Sequence, residues 1–153
     1  MKPTKFLAFA VPAIILTAGF GAREASAQLY NPTTLSSEEI NDTLSVADIP
    51  TGFGGFAKDY VVKLEAGDLI TIDAVSSEFD NLVSLIDANG STVSENDDGP
   101  EGTTNSLLFA RISEGGKYTI RVRSYSGDGG GSFSLKLARL RTIYWRDRVA
   151  NKM

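Results

Sequence analysis

A chain of 153 residues, 42% apolar and 22% charged, has room for one hydrophobic core and not for two. It contains no cysteine and no histidine, which excludes disulfide staples, Ser-His-Asp and Cys-His catalytic groups and histidine-ligated zinc. Its net charge of −4 argues against nucleic acid, whose phosphates attract basic surfaces.

At the start, Lys2 and Lys5 precede an apolar run from Phe6 to Phe20, and the small residues Ala25-Ser26-Ala27 follow it. This is the pattern of a signal peptide over residues 1–27, cleaved before Gln28. The run is shorter than the roughly 20 residues a membrane span needs, so no stable membrane anchor is expected after cleavage. The mature chain is expected to be secreted or periplasmic. Residues 1–27 carry three basic side chains against one acidic, and the segment 139–153 carries five against one. Subtracting both from −4 leaves residues 28–138 with a charge of −10, an acidic body that suits cations and neutral or basic polymers.

Residues 28–40 are polar and lack an apolar period, so they read as a linker. From Asn41 to residue 138, short runs alternate apolar and polar residues at period two, as half-buried strands do. Tyr60, Val62 and Leu64 share one face; Ile70, Ile72 and Ala74 share the next. The turn Glu65-Ala66-Gly67-Asp68 between them predicts a hairpin. A run from Phe79 to Asp87 follows, then a turn at Ala88-Asn89-Gly90, a short strand through Val93 and a polar loop from Glu95 to Thr104. Leu108, Ala110 and Ile112 mark a further strand, Tyr118, Ile120 and Val122 another, and Phe133, Leu135 and Leu137 the last. Gly127 to Gly131 reads as a flexible hairpin loop. The spacing predicts a single-domain, all-β, jelly-roll-like antiparallel β-sandwich of about 7–8 strands. Tyr60 and Tyr118 fall in the core period and are expected to be packing residues. The basic tail 139–153 is compatible with a short helix, an edge element or a disordered end.

Only carboxylate chemistry is left for catalysis, and a domain this small offers little depth for two carboxyls facing across a cleft. No enzyme activity is expected. The most acidic stretch runs from Ser94 to Glu101, with Asp80 and Asp87 at the ends of the preceding run. Hard oxygen donors packed this densely repel one another unless a cation offsets them, and calcium takes six to eight such oxygens. An EF-hand is excluded, because the sixth position counted from Asp87 is Thr92 and not glycine. Two readings stand for Asn96-Asp97-Asp98-Gly99: a calcium site, or a solvated loop whose side chains bond their own backbone.

The ordered set Lys58-Asp59-Tyr60-Val61-Val62, Glu65-Ala66-Gly67-Asp68, Phe79-Asp80-Asn81, Leu85-Ile86-Asp87-Ala88-Asn89-Gly90, Glu95-Asn96-Asp97-Asp98, Asn105-Ser106, Gly116-Lys117-Tyr118 and Phe133-Ser134-Leu135 resembles the bacterial pre-peptidase C-terminal domain over residues 41–138. The resemblance implies a non-catalytic jelly-roll-like module of exported proteins, some of which bind calcium or collagen. It implies Asp80, Asp97 and Asp98 as metal ligands. The family is usually appended to a protease or other exported enzyme, and the chain departs from that arrangement because no catalytic domain accompanies it here.

The sequence therefore points to an exported binding module for extracellular polysaccharide or protein polymer, stabilised by Ca2+. The alternative is an interaction subunit acting beside a separately encoded secreted enzyme. For polymer binding, the expected contacts are the aromatic residues Tyr125, Tyr144 and Trp145.

Overall fold

A computed structural model describes residues 30–100 and 102–140. The predicted signal peptide, and Tyr144 and Trp145 of the tail, lie outside the described residues. Ten strands run in chain order: β1 (Thr33–Thr34), β2 (Glu39–Leu44), β3 (Ile49–Pro50), β4 (Phe56–Leu64), β5 (Leu69–Val75), β6 (Asn81–Ile86), β7 (Thr92–Asn96), β8 (Ser106–Arg111), β9 (Gly116–Ser124) and β10 (Gly131–Leu140). No helix occurs among the described residues.

The strands form two sheets. The first has the order β1-β4-β9-β6-β7, with β3 also paired to β4; the second has the order β2-β10-β5-β8. Pairing is antiparallel except between β1 and β4. From β4 onward the chain repeatedly crosses from one sheet to the other, which gives a jelly-roll-like sandwich.

The period-two positions are the reason the sheets stack. Successive side chains on a strand point to opposite faces, so Tyr60, Val62 and Leu64 from β4 and Ile120 and Val122 from β9 meet Ile70 and Ile72 from β5 and Leu135 and Leu137 from β10 in one buried cluster. Full burial of each large side chain contributes about 1.5–3 kcal/mol. Phe133 joins Tyr60 and Phe79 through edge-on ring contacts at 6.4 and 6.2 Å. Tyr60 and Tyr118 are buried, as their period requires.

Four expectations are corrected. The segment 28–40 is not all linker: β1 and the start of β2 lie in it, and Leu35 and Ile40 pack against the core. Because β1 and β2 border their sheets, their polar outward residues hide the period. The turn at Glu65–Asp68 is not a hairpin: β4 belongs to the first sheet and β5 to the second, since both apolar faces must reach one core from opposite sides. For the same reason the loop Gly127–Gly131 passes from β9 in one sheet to β10 in the other. β10 itself continues to Leu140, two residues into the segment read as tail. The hairpin at Asn89-Gly90 does form, joining β6 to β7, with Gly90 at φ 84°.

A polar clasp also joins the sheets. Asp42 on β2 accepts from Lys58 Nζ at 2.8 Å and from the Tyr60 hydroxyl at 2.9 Å, both on β4.

Candidate binding site

The outer face of the first sheet is polar where its inner face is apolar. Register places Asp59, Arg121, Ser84 and Glu95 in one row across β4, β9, β6 and β7. Arg121 grips Asp59 with two parallel hydrogen bonds, Nε to Oδ1 and Nη2 to Oδ2, each 2.7 Å. This fork is the strong form of a charged hydrogen bond. Ser84 Oγ donates to Glu95 Oε2 at 2.5 Å. The four side chains of this row are thus engaged in two pairs, Asp59 with Arg121 and Ser84 with Glu95.

Arg123, two residues along β9, lies on the same face. Its Nη1 donates to the carbonyls of Ser124 and Tyr125 at 3.2 and 3.3 Å, and no described carboxylate pairs with it. A guanidinium carries five N–H donors, so most of Arg123 faces the groove uncommitted.

Two loops wall that groove at one end. Gly55 in the β3–β4 loop and Gly127 in the β9–β10 loop touch: a Cβ on Gly55, whose φ is +70°, would stand 2.2 Å from the Gly127 carbonyl oxygen. Only glycine permits both the backbone angle and the approach. Thr51 steadies the first loop, its hydroxyl donating to Gly54 O and its amide to Gly55 O. The contact sets two aromatic rings at the rim: Phe53, fully exposed, and Tyr125, 52% exposed. Between them and β7 runs a groove of about 360 Å³ lined by Ile49, Ile86, Glu95 and Arg123 together with these rings. Tyr125 was expected as a contact from sequence and is exposed here. Phe53 and Arg123 were missed; the signal available was an aromatic set among glycines in Thr51-Gly52-Phe53-Gly54-Gly55.

Beside this groove lie the acidic candidates. Asp80, Asp97 and Asp98 come near enough that burial first, and then the charges of Asp98 and Asp97, push the Asp80 carboxyl above its ordinary value. No hydrogen bond to any of the three carboxylates is present among the described residues, whereas Asp87 Oδ1 accepts from the amides of Asn89 and Ser91 at 2.8 Å each. Asp87 is thus a turn former, and the backbone-bonding reading does not describe Asp97 and Asp98. The Asn96 side-chain oxygen, one residue before Asp97, is buried without a hydrogen-bond partner. Among the described residues no three acidic side chains converge on one point to hold a metal ready-made.

The loop carrying Asp80 is held by a buried network. Asn81 is inaccessible; its Oδ1 accepts from Ser106 N at 3.0 Å and its carbonyl from Ser106 Oγ at 2.8 Å. Asn105 Oδ1 accepts from Ser76 N at 2.8 Å. Asn81, Asn105 and Ser106 therefore fix loops rather than contact a ligand.

The family model described as the bacterial pre-peptidase C-terminal domain matches residues 57–124. Two solved structures share the fold. One is PliG, a periplasmic lysozyme inhibitor of g-type lysozyme from Aeromonas hydrophila, at TM-score 0.54 and 13% identity, covering 71% of this chain and 96% of that one. The other is the pre-peptidase C-terminal domain of collagenase from Bacillus anthracis, at TM-score 0.51 and 14% identity, covering 71% and 93%. No curated protein matches the chain by sequence. The match from β4 to β9 takes in the acidic cluster and most of the groove floor, so residues 57–124 resemble the bacterial pre-peptidase C-terminal domain in sequence, and the sandwich as a whole shares that domain's fold.

Proposed function

We propose that the protein is an exported, non-catalytic binding module that holds an extracellular polymer against the outer face of its first sheet. The observation that carries this reading is the groove: two exposed rings, Phe53 and Tyr125, set by a glycine contact at its rim, with an uncommitted Arg123 on its floor. Rings held rigidly at a surface give large contact area at low entropic cost, and Arg and aromatic residues dominate binding hot spots. The carboxylates of the groove favour binding over catalysis, because Asp59 is engaged by Arg121 and Glu95 by Ser84, which leaves no opposed acid and base. Export rests on the signal-like residues 1–27, and the periplasmic and collagenase relatives of the same fold agree with it.

Calcium is the structural partner we propose for the acidic loops, which do not converge on one point as they stand and would have to draw together around it. Asp80, Asp97 and Asp98 would hold it together with the partnerless Asn96 oxygen, and the ion would supply positive charge against the burial and the Asp98 and Asp97 charges that raise Asp80.

A second reading is an interaction subunit working beside a separately encoded secreted enzyme. The likeness to a periplasmic inhibitor of g-type lysozyme favours it, since that protein's partner is an enzyme.

Co-sedimentation of the wild type and of Phe53→Ala/Tyr125→Ala with chitin, cellulose, peptidoglycan sacculi and insoluble collagen tests the first reading. Retention on at least one polymer, reduced tenfold or more in the folded double variant, is expected. Equal retention of both proteins, or none by either, would remove it.

A further inference from the structure

The groove differs from the rest of the domain in charge. Residues 28–138 carry −10, yet on the groove floor Arg121 is matched by Asp59 while Arg123 has no described carboxylate. Glu95 across the groove is drawn to Ser84. What the groove offers a ligand is therefore one guanidinium with most donors unspent, the rings of Phe53 and Tyr125, the aliphatic flanks of Ile49 and Ile86, and hydroxyls on Thr51, Thr92 and Ser126, with Glu95 keeping its charge beside Ser84. A neutral saccharide would leave the charge of Arg123 unpaired. A ligand that places a carboxylate next to an apolar group meets both the guanidinium and the Phe53 ring.

We infer that the groove takes an acidic segment of a partner protein, whose carboxylate pairs with Arg123 while a neighbouring apolar side chain packs on Phe53; this rests on the groove being the binding surface. The negative charge of the body does not prevent it. At physiological ionic strength, exposed charges are screened beyond about 8 Å, whereas a guanidinium and a carboxylate in contact form a charge-assisted, forked hydrogen bond. Arg123 is held for this role by the carbonyls of Ser124 and Tyr125, which fix one end of the guanidinium and aim the remainder outward from β9. Lysine could not do the same, because an ammonium lacks the planar fork.

The test is selection of a random decapeptide display library on the full chain, with polygalacturonate as a parallel probe. The peptides recovered are then measured by fluorescence anisotropy against Arg123→Ala, Arg123→Lys and Phe53→Ala, each checked for folding by its thermal midpoint. The expected result is enrichment of Asp or Glu next to an apolar residue, at least tenfold weaker binding to Arg123→Ala, a partial loss with Arg123→Lys, and a similar loss when the peptide carboxylate becomes an amide. Peptides without acidic enrichment, or acidic peptides that bind Arg123→Ala unchanged, overturn the inference; if they still need Phe53, the groove remains the binding surface. Polygalacturonate bound through Arg123 with no peptide enriched overturns the protein partner and likewise leaves the groove standing. Absence of any binding, or binding indifferent to Phe53→Ala, overturns both.

Discussion

The amide of Tyr125 donates to the carbonyl of Asp80 at 2.9 Å, so the ring at the groove rim and the acidic cluster share one piece of backbone although 45 positions separate them in sequence. Asp80 opens into β6 and Tyr125 leaves β9, and the pairing of Asn81 with Ser124 brings those strand ends together. Anything that steadies the acidic loops therefore steadies the rim.

Calcium is expected to raise the thermal midpoint. A ligand of the folded state at about 100 times its dissociation constant adds roughly 2.7 kcal/mol, and unfolding followed in calcium and in chelator measures it. Asp97→Ala/Asp98→Ala should lose the calcium response. An unchanged wild-type midpoint would leave these carboxylates as solvating charge.

Asp80 sets a pH dependence of known sign in the absence of calcium. Its folded value is raised above the ordinary 3.8 by burial and by Asp98 and Asp97, so its favourable contribution is complete below 3.8 and disappears as pH rises through the raised value. Asp80→Asn removes the charge and is expected to raise the midpoint at pH 7 while leaving it nearly unchanged at pH 3. Scanning both proteins across that range in chelator checks it.

The inter-sheet clasp behaves oppositely. Burial works against the Asp42 carboxylate, but hydrogen bonds from Lys58, the Thr43 amide and the Tyr60 hydroxyl outweigh it and hold the group below its ordinary value. Its stabilisation is complete above 3.8 and is lost as pH falls through the lowered value. For Tyr60, burial and then the Asp42 hydrogen bond hold the hydroxyl protonated. Asp42→Ala strands that hydroxyl in the core and is expected to cost about 1–3 kcal/mol. Tyr60→Phe costs less, and the double variant less than the sum, as urea unfolding will show.

Positions facing the core were legible from sequence because alternation has a physical cause: Ile72, Ile120 and Leu135 could not point elsewhere without exposing a whole strand face. Sheet membership was not legible. A strand's period reports that one face is buried and not which sheet it joins, so Glu65–Asp68 read as a hairpin when it crosses between layers. The groove was hidden for a related reason. Asp59 and Arg121 are 62 positions apart, and only register across β4, β9, β6 and β7 assembles the row. Tyr125 could be singled out as an exposed ring, whereas Arg123 has meaning only once Arg121 is seen to be taken by Asp59.

The glycine contact at the rim should be sensitive to a single methyl group. Gly55→Ala places a Cβ 2.2 Å from Gly127 O at φ +70°, with a backbone strain of about 1–3 kcal/mol before the loops move apart. Gly67→Ala carries a similar angle, φ +93°, with nothing within 4 Å. Both variants are expected to lower the midpoint, but only Gly55→Ala should also lose polymer retention, measured by co-sedimentation at a temperature where each is folded.

The absence of cysteine allows the binding face to be located directly. Ser126→Cys lies at the groove and Lys136→Cys on β10 of the opposite sheet, and each can be blocked with a bulky maleimide before retention on the bound polymer is measured. Blocking Ser126→Cys is expected to abolish retention, and blocking Lys136→Cys to leave it intact. Retention that survives the first and fails with the second would contradict this and move the binding surface to the other sheet.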